Sequence, residues 1–76
     1  MRFPNEHEIA RLREKYPPGT KVILEEMDDS QAPPVGTIGE VVTVDGAGQL
    51  VMQWQNGGGL SLIPGVDKFR KVGDAE

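Results

Sequence analysis

The chain contains no cysteine, so neither a disulfide nor a thiolate metal site can brace it. It has a single histidine, His7, which leaves a zinc site without enough ligands and a nucleophile without its usual base. Aromatic residues are few: Phe3, Tyr16, Trp54 and Phe69. No apolar run approaches the roughly 20 residues needed to span a bilayer. Charges interrupt the opening segment MRFPNEHEIARL, where a secretory signal needs its apolar stretch. Positive charge is missing from the whole middle of the chain. The eight Lys and Arg residues fall at the two ends, and none lies between Val22 and Asp67. With a net charge of −4, the chain lacks the basic excess that phosphate binding needs. These absences argue against an enzyme, a bound cofactor or metal, a membrane protein and a nucleic-acid binder. They are compatible with a cytoplasmic setting.

What the sequence does contain is a series of short elements separated by strong turn signals. At 76 residues it has room for one domain with a thin core. Asn5 followed by Glu8 has the form of a capping box, and Ile9, Leu12 and Tyr16 then recur at helical spacing. Pro17 stops the pattern, which predicts one short helix over 5–15. Pro17-Pro18-Gly19-Thr20 turns into a first strand, KVILEEM, over 21–27. A loop of turn residues, DDSQAPP, runs from Asp28 to Pro34. A second Gly-Thr pair, Gly36-Thr37, leads into strand two over 37–44, where the alternation slips and predicts a bulge or bend at Gly39. Asp45-Gly46 and Asn56-Gly57 are hairpin signals on either side of strand three, 49–55. Strand four is expected over 59–63 and a single 3-10 turn at Pro64–Asp67. A last strand over 69–72 would pair with strand one, leaving 73–76 as a tail. The chain thus reads as mainly β: a small five-stranded SH3-like barrel over 20–72 with one short N-terminal α-helix. The expected inward set is Val22, Leu24, Ile38, Val42, Leu50, Met52, Trp54, Leu60, Leu62 and Phe69.

The order YPPGT, PPVGT-x-G-x-V, VD-x-x-G, W-x-NG, L-x-PG-x-D, from Tyr16 to Val72, resembles a family of small uncharacterised bacterial and phage domains filed as a domain of unknown function. The resemblance implies an SH3-type barrel, often carried by prophages and other mobile elements, and assigns no activity. GTIGEVVTVD is also similar to the glycine–valine core of KOW-type barrels in transcription and ribosomal proteins. The aromatic groove of a proline-binding SH3 domain is not matched, because the ALYDY-like run and the paired tryptophans are missing.

The densest charge cluster is Glu25, Glu26, Asp28 and Asp29. It reads either as an acidic lip for a basic partner or as a solvated loop that protects a strand edge. Trp54 and Tyr16 read either as contact aromatics or as core. The glycines at 57–59 and the prolines at 33 and 34 read as turn and loop residues. Taken functionally, the candidate binding residues are Glu26, Asp28, Asp29, Gln31, Trp54 and Tyr16. The leading expectation is a non-enzymatic module that binds a protein partner as an inhibitor or accessory regulator. Two alternatives stay open: a KOW-like nucleic-acid binder, and a homo-oligomer that holds a small ligand such as a nucleotide between subunits.

Overall fold

The computed structural model describes residues 5–72; the tail expected over 73–76 lies outside them. One helix and four antiparallel strands are formed: α1 Glu6–Lys15, β1 Lys21–Glu26, β2 Ile38–Val44, β3 Leu50–Trp54 and β4 Lys68–Lys71. The sheet order is β3-β2-β1-β4, so the last strand pairs with the first, as the sequence predicts. No helix is long and apolar enough to cross a membrane among these residues.

The helix begins at the anticipated capping box. The Asn5 side chain accepts from the Glu8 amide, and the Glu8 carboxylate accepts from the Asn5 amide, both at 2.9 Å. Together these bonds satisfy two amides that helix geometry leaves without partners. The helix stops at Tyr16, whose successor is proline. Arg13 donates from Nε and Nη2 to the Val44 carbonyl at 3.3 and 3.1 Å, fastening α1 to the far end of β2.

The β1–β2 ribbon is bounded by two copies of one turn. In Pro17–Thr20 and again in Pro34–Thr37, the threonine amide donates to the proline carbonyl at 3.0 Å and its hydroxyl does so at 2.6 Å. Gly19 and Gly36 both have φ of 93°, while no non-glycine residue has positive φ among the described residues, so both are type II turns. Each turn then docks on the opposite strand. The Gly19 amide donates to the Val41 carbonyl and the Val41 amide to the Thr20 carbonyl. The Gly36 amide donates to the Leu24 carbonyl and the Leu24 amide to the Thr37 carbonyl. The same offset along the chain carries Pro17 onto Pro34, Gly19 onto Gly36 and Leu24 onto Val41.

Three local expectations need correction. First, the irregularity in β2 falls at Val42, between Val41 and Thr43, and not at Gly39. The extra residue turns Val42 outward, at 48% exposure, and lets Val41 and Val44 both face inward. Gly39 is needed for a different reason: the Trp54 ring lies where its side chain would be.

Second, four strands form among the described residues where the sequence predicts five. The chain from Gly58 through the segment expected as strand four meets the β3 backbone at only two points. The Trp54 amide donates to the Gly58 carbonyl, and Leu50 and Leu62 exchange both backbone bonds at 2.9 Å. Between these points the Trp54 indole donates to the Leu60 carbonyl at 2.8 Å. A side chain thus takes the acceptor that a strand ladder would use.

Third, Pro64–Asp67 is not a 3-10 turn. Gly65 has φ of 88°, the Val66 amide donates to the Ile63 carbonyl, and the Asp67 carboxylate accepts from the Ile63 amide at 2.8 Å. Proline followed by a positive-φ glycine gives a type II turn, which 3-10 dihedrals exclude. The hairpin signalled by Asp45-Gly46 forms between β2 and β3, with positive φ at Gly48. Asp45 and Gln49 close a three-residue loop, in the same way that Trp54 and Gly58 close the loop ending at Gly57.

The core comprises Tyr16, Val22, Leu24, Val41, Val44, Leu50, Met52, Trp54 and Leu62, with Ile9, Leu12, Met27 and Phe69 packed against it. Of the expected inward set, Val42 points out, Ile38 and Leu60 are half-buried, and Val41 takes the place assigned to Val42.

A Cβ built at Gly39 would lie 2.5 Å from the Trp54 ring, whereas one at Gly46 meets nothing within 4 Å. Gly39→Ala should therefore lower stability by about 1–3 kcal/mol through overpacking. In a domain of this size that corresponds to a melting temperature roughly 4–8 °C lower per kcal/mol. Gly46→Ala should melt within a degree or two of the parent in the same calorimetric scan.

Candidate functional site

The long loop leaves β1 through Met27 and turns at Asp29. The Asp29 carboxylate accepts from the Gln31 amide at 2.7 Å, and its carbonyl accepts from the Ala32 amide at 3.0 Å. Asp29 thus holds the shape of its own loop, the local bonding that makes aspartate a turn residue. Glu26 lies 3.4 Å from the Lys68 ammonium, and Glu25 3.1 Å from Arg70, both across the β1–β4 pair. These pairs are solvent-exposed and contribute between zero and about 1 kcal/mol each. Their consequence for a partner is that half of the acidic cluster is already matched by β4. Asp28 is exposed at the loop's rim.

Opposite this loop lies the irregular segment that follows β3. Between them runs an open groove of about 420 Å³, with Asp28 and Asp29 on one wall and Leu60, Ile63, Val66 and Asp67 on the other. Val66 is 72% exposed and Ile63 is also exposed, so the groove combines acidic and aliphatic surface. A second groove of about 240 Å³ adjoins it at Gly59 and Leu60 and contains Gln31, Pro33 and Asn56. The two grooves bring Asp28, Asp29 and Gln31 together along one side of the molecule. Among the described residues, no three His, Asp or Glu side chains are arranged to hold a metal ion.

Of the two candidate aromatics, Trp54 borders the second groove together with Gln31, and Tyr16 borders neither. Trp54 is 2% exposed, with its indole N–H committed to Leu60. Tyr16 is 7% exposed and forms the helix C-cap, its ring tilted against Phe69 with centroids 5.6 Å apart. Both rings belong to the core, and the groove's apolar contacts come from Ile63 and Val66 instead. The sequence signal for these two residues is slight: a valine left in a Pro-Gly-Val-Asp turn, where burial is not available.

The structure also gathers positive charge from opposite ends of the chain. The ammonium groups of Lys15 and Lys71 stand 5.5 and 5.6 Å from the centroid of the Tyr16 ring. The β1–β4 pairing brings them there, since it sets Lys71 opposite Val22 a few residues after the helix ends.

A family model described as a domain of unknown function, DUF4314, matches residues 5–72. The chain belongs to this family. The matched span starts at the helix cap and ends just after β4, so the helix and the sheet are both parts of the DUF4314 domain. No curated protein and no solved structure matches the chain.

Trp54→Phe should retain most of the ring's bulk while leaving the Leu60 carbonyl without its donor, at a cost of about 1–3 kcal/mol. Urea denaturation of the two proteins measures the difference. A loss under half a kcal/mol would mean that the bond between Trp54 and Leu60 does not hold the segment.

Proposed function

We propose that this DUF4314 domain is a non-enzymatic protein-interaction module, acting as an inhibitor or accessory regulator, with the acidic-aliphatic groove as its contact surface. The observation that carries this reading is the pairing of Asp28 with exposed Val66 and Ile63 across one open groove. Isolated exposed aliphatics are ordinary, but aliphatics lining a concavity beside unmatched charge offer both contact area and orientation. The scaffold is best understood as an open SH3-like barrel. Support comes from the return of β4 to β1 and from the Leu50–Leu62 bridge, which lies where a further strand would run. A bacterial or phage source and a cytoplasmic setting are part of the same proposal, and they rest on the motif resemblance and the composition.

A second reading, nucleic-acid binding, is favoured by one specific observation: the approach of Lys15 and Lys71 to a single ring. Two neighbouring cations suit phosphate contacts, although the buried Tyr16 ring leaves no face for a base to stack on. The net charge of −4 opposes it.

Affinity capture with the domain as bait separates the two. Under the protein-interaction reading, Asp28→Lys combined with Val66→Asp loses the captured protein, and moderate salt weakens its retention. Both positions are exposed, so circular dichroism and melting should stay those of the parent. Capture that survives both the double substitution and high salt removes the groove as the contact surface. Under the second reading, a low-salt gel shift appears and is lost in Lys15→Glu/Lys71→Glu.

A further inference from the structure

The turn after β3 contains a reactive pair that the binding reading does not use. Asn56 is exposed and is followed by Gly57, which has no Cβ to obstruct approach to the Asn56 side chain. The Asn56 Oδ1 accepts from the Gly58 amide at 3.0 Å, which folds the side-chain amide back over the Gly57 peptide. The Gly57 amide is engaged: it donates to the Trp54 carbonyl at 2.9 Å.

We propose that Asn56 is a site of spontaneous deamidation whose rate is set by opening of the bond between Gly57 and Trp54. With that bond broken, solvent base takes the Gly57 amide proton and the nitrogen attacks the Asn56 Cγ. A C–N bond forms, the side-chain nitrogen leaves as ammonia, and a five-membered succinimide results. Water then opens the ring at either carbonyl, giving aspartate or its β-linked isomer. Water is the only co-reactant, and no electron is transferred.

The position makes the change consequential. Asn56 lines the groove that also contains Gln31 and Pro33, so conversion adds a negative charge beside the acidic loop. In the β-linked product an extra methylene enters the backbone of a loop closed by Trp54 and Gly58. Its three-residue geometry, with Gly57 at φ 92°, no longer fits, and the bond from the Trp54 amide to Gly58 is lost. The modification would therefore act on the core tryptophan as well as on the surface. The inference stands on the turn's own bonds, whatever the groove binds.

The test is incubation of the full chain at mildly alkaline pH, with and without urea, followed by peptide mapping for the amide-to-acid mass change and for isoaspartate. Asn56 should convert in both samples, and Asn5, capped and followed by Glu6, should lag behind it in the native one. Conversion of native protein should be roughly tenfold or more slower than that of unfolded chain, since reaction through a rare open state scales with that state's population. Asn56→Gln should not convert on this timescale, and the β-linked product, isolated by ion exchange, should show Trp54 emission shifted to the red. Native protein that still shows no conversion after an incubation many times longer than the unfolded chain needs to react fully would overturn the proposal. So would equal rates in the two samples, which would mean that the turn does not gate the chemistry.

Discussion

Trp54 is the residue on which the rest of the structure depends. Its ring lies in the space left by Gly39, its cross-strand partner on β2, so that β2 and β3 are held side by side by a contact only glycine permits. Its indole N–H takes the Leu60 carbonyl, and its backbone amide and carbonyl close the loop to Gly58 and Gly57. One side chain thus joins two strands of the sheet to the irregular segment beyond them. A buried indole needs a partner for its N–H. Here the partner is a carbonyl drawn out of what would otherwise be a strand, and this is why the sheet has four strands and an isolated bridge.

The same substitution of a side-chain bond for a ladder bond creates the candidate site. Because 58–62 does not run as a strand, the segment stands away from the long loop and leaves a concavity between them. The walls differ in character. One is made of loop carboxylates, of which Asp29 also shapes its own turn; the other joins aliphatic residues that the Pro64-Gly65 turn keeps at the surface to Asp67, whose carboxylate is engaged by the Ile63 amide. The acidity of this region is smaller than the composition suggests, since Glu25 and Glu26 face Arg70 and Lys68.

Features fixed by neighbouring residues were legible in the sequence. The Asn5–Glu8 capping box, the stop at Pro17, the two Gly-Thr turns, the hairpin at Asp45-Gly46 and the turn at Asn56-Gly57 are each determined within a few positions. Pairing of the last strand with the first was legible too, because the order and length of the elements leave few alternatives. Features that depend on distant partners were not. Gly39 breaks the alternation of β2, and a bulge is the local explanation; the actual cause is a ring supplied by Trp54, far along the chain. Val42 and Val41 are adjacent valines, and only the placement of the bulge decides which one is buried. Glu26 and Asp29 looked alike as candidate ligands, yet one is matched by Lys68 and the other bonds its own loop. The Asp28 side of the groove was visible as a charge cluster, whereas Ile63 and Val66 became part of a site only when the turn at Gly65 placed them opposite.

The paired Pro-x-Gly-Thr turns bear on how this fold tolerates change. In most hairpins the connecting loop sets the alignment of the two strands. Here the alignment of β1 with β2 is clamped from both ends by the turns, and a slip of one residue would break the Gly19–Val41 and Gly36–Leu24 bonds together. The exposed stretch 28–31, between Met27 on the core and buried Pro33, is thereby freed from holding the strands in step. Its length and sequence can drift at little thermodynamic cost, since closure entropy grows only slowly with loop length. The part of the molecule that presents Asp28 to the groove is thus shaped by the turn at Asp29 rather than by the register of the sheet.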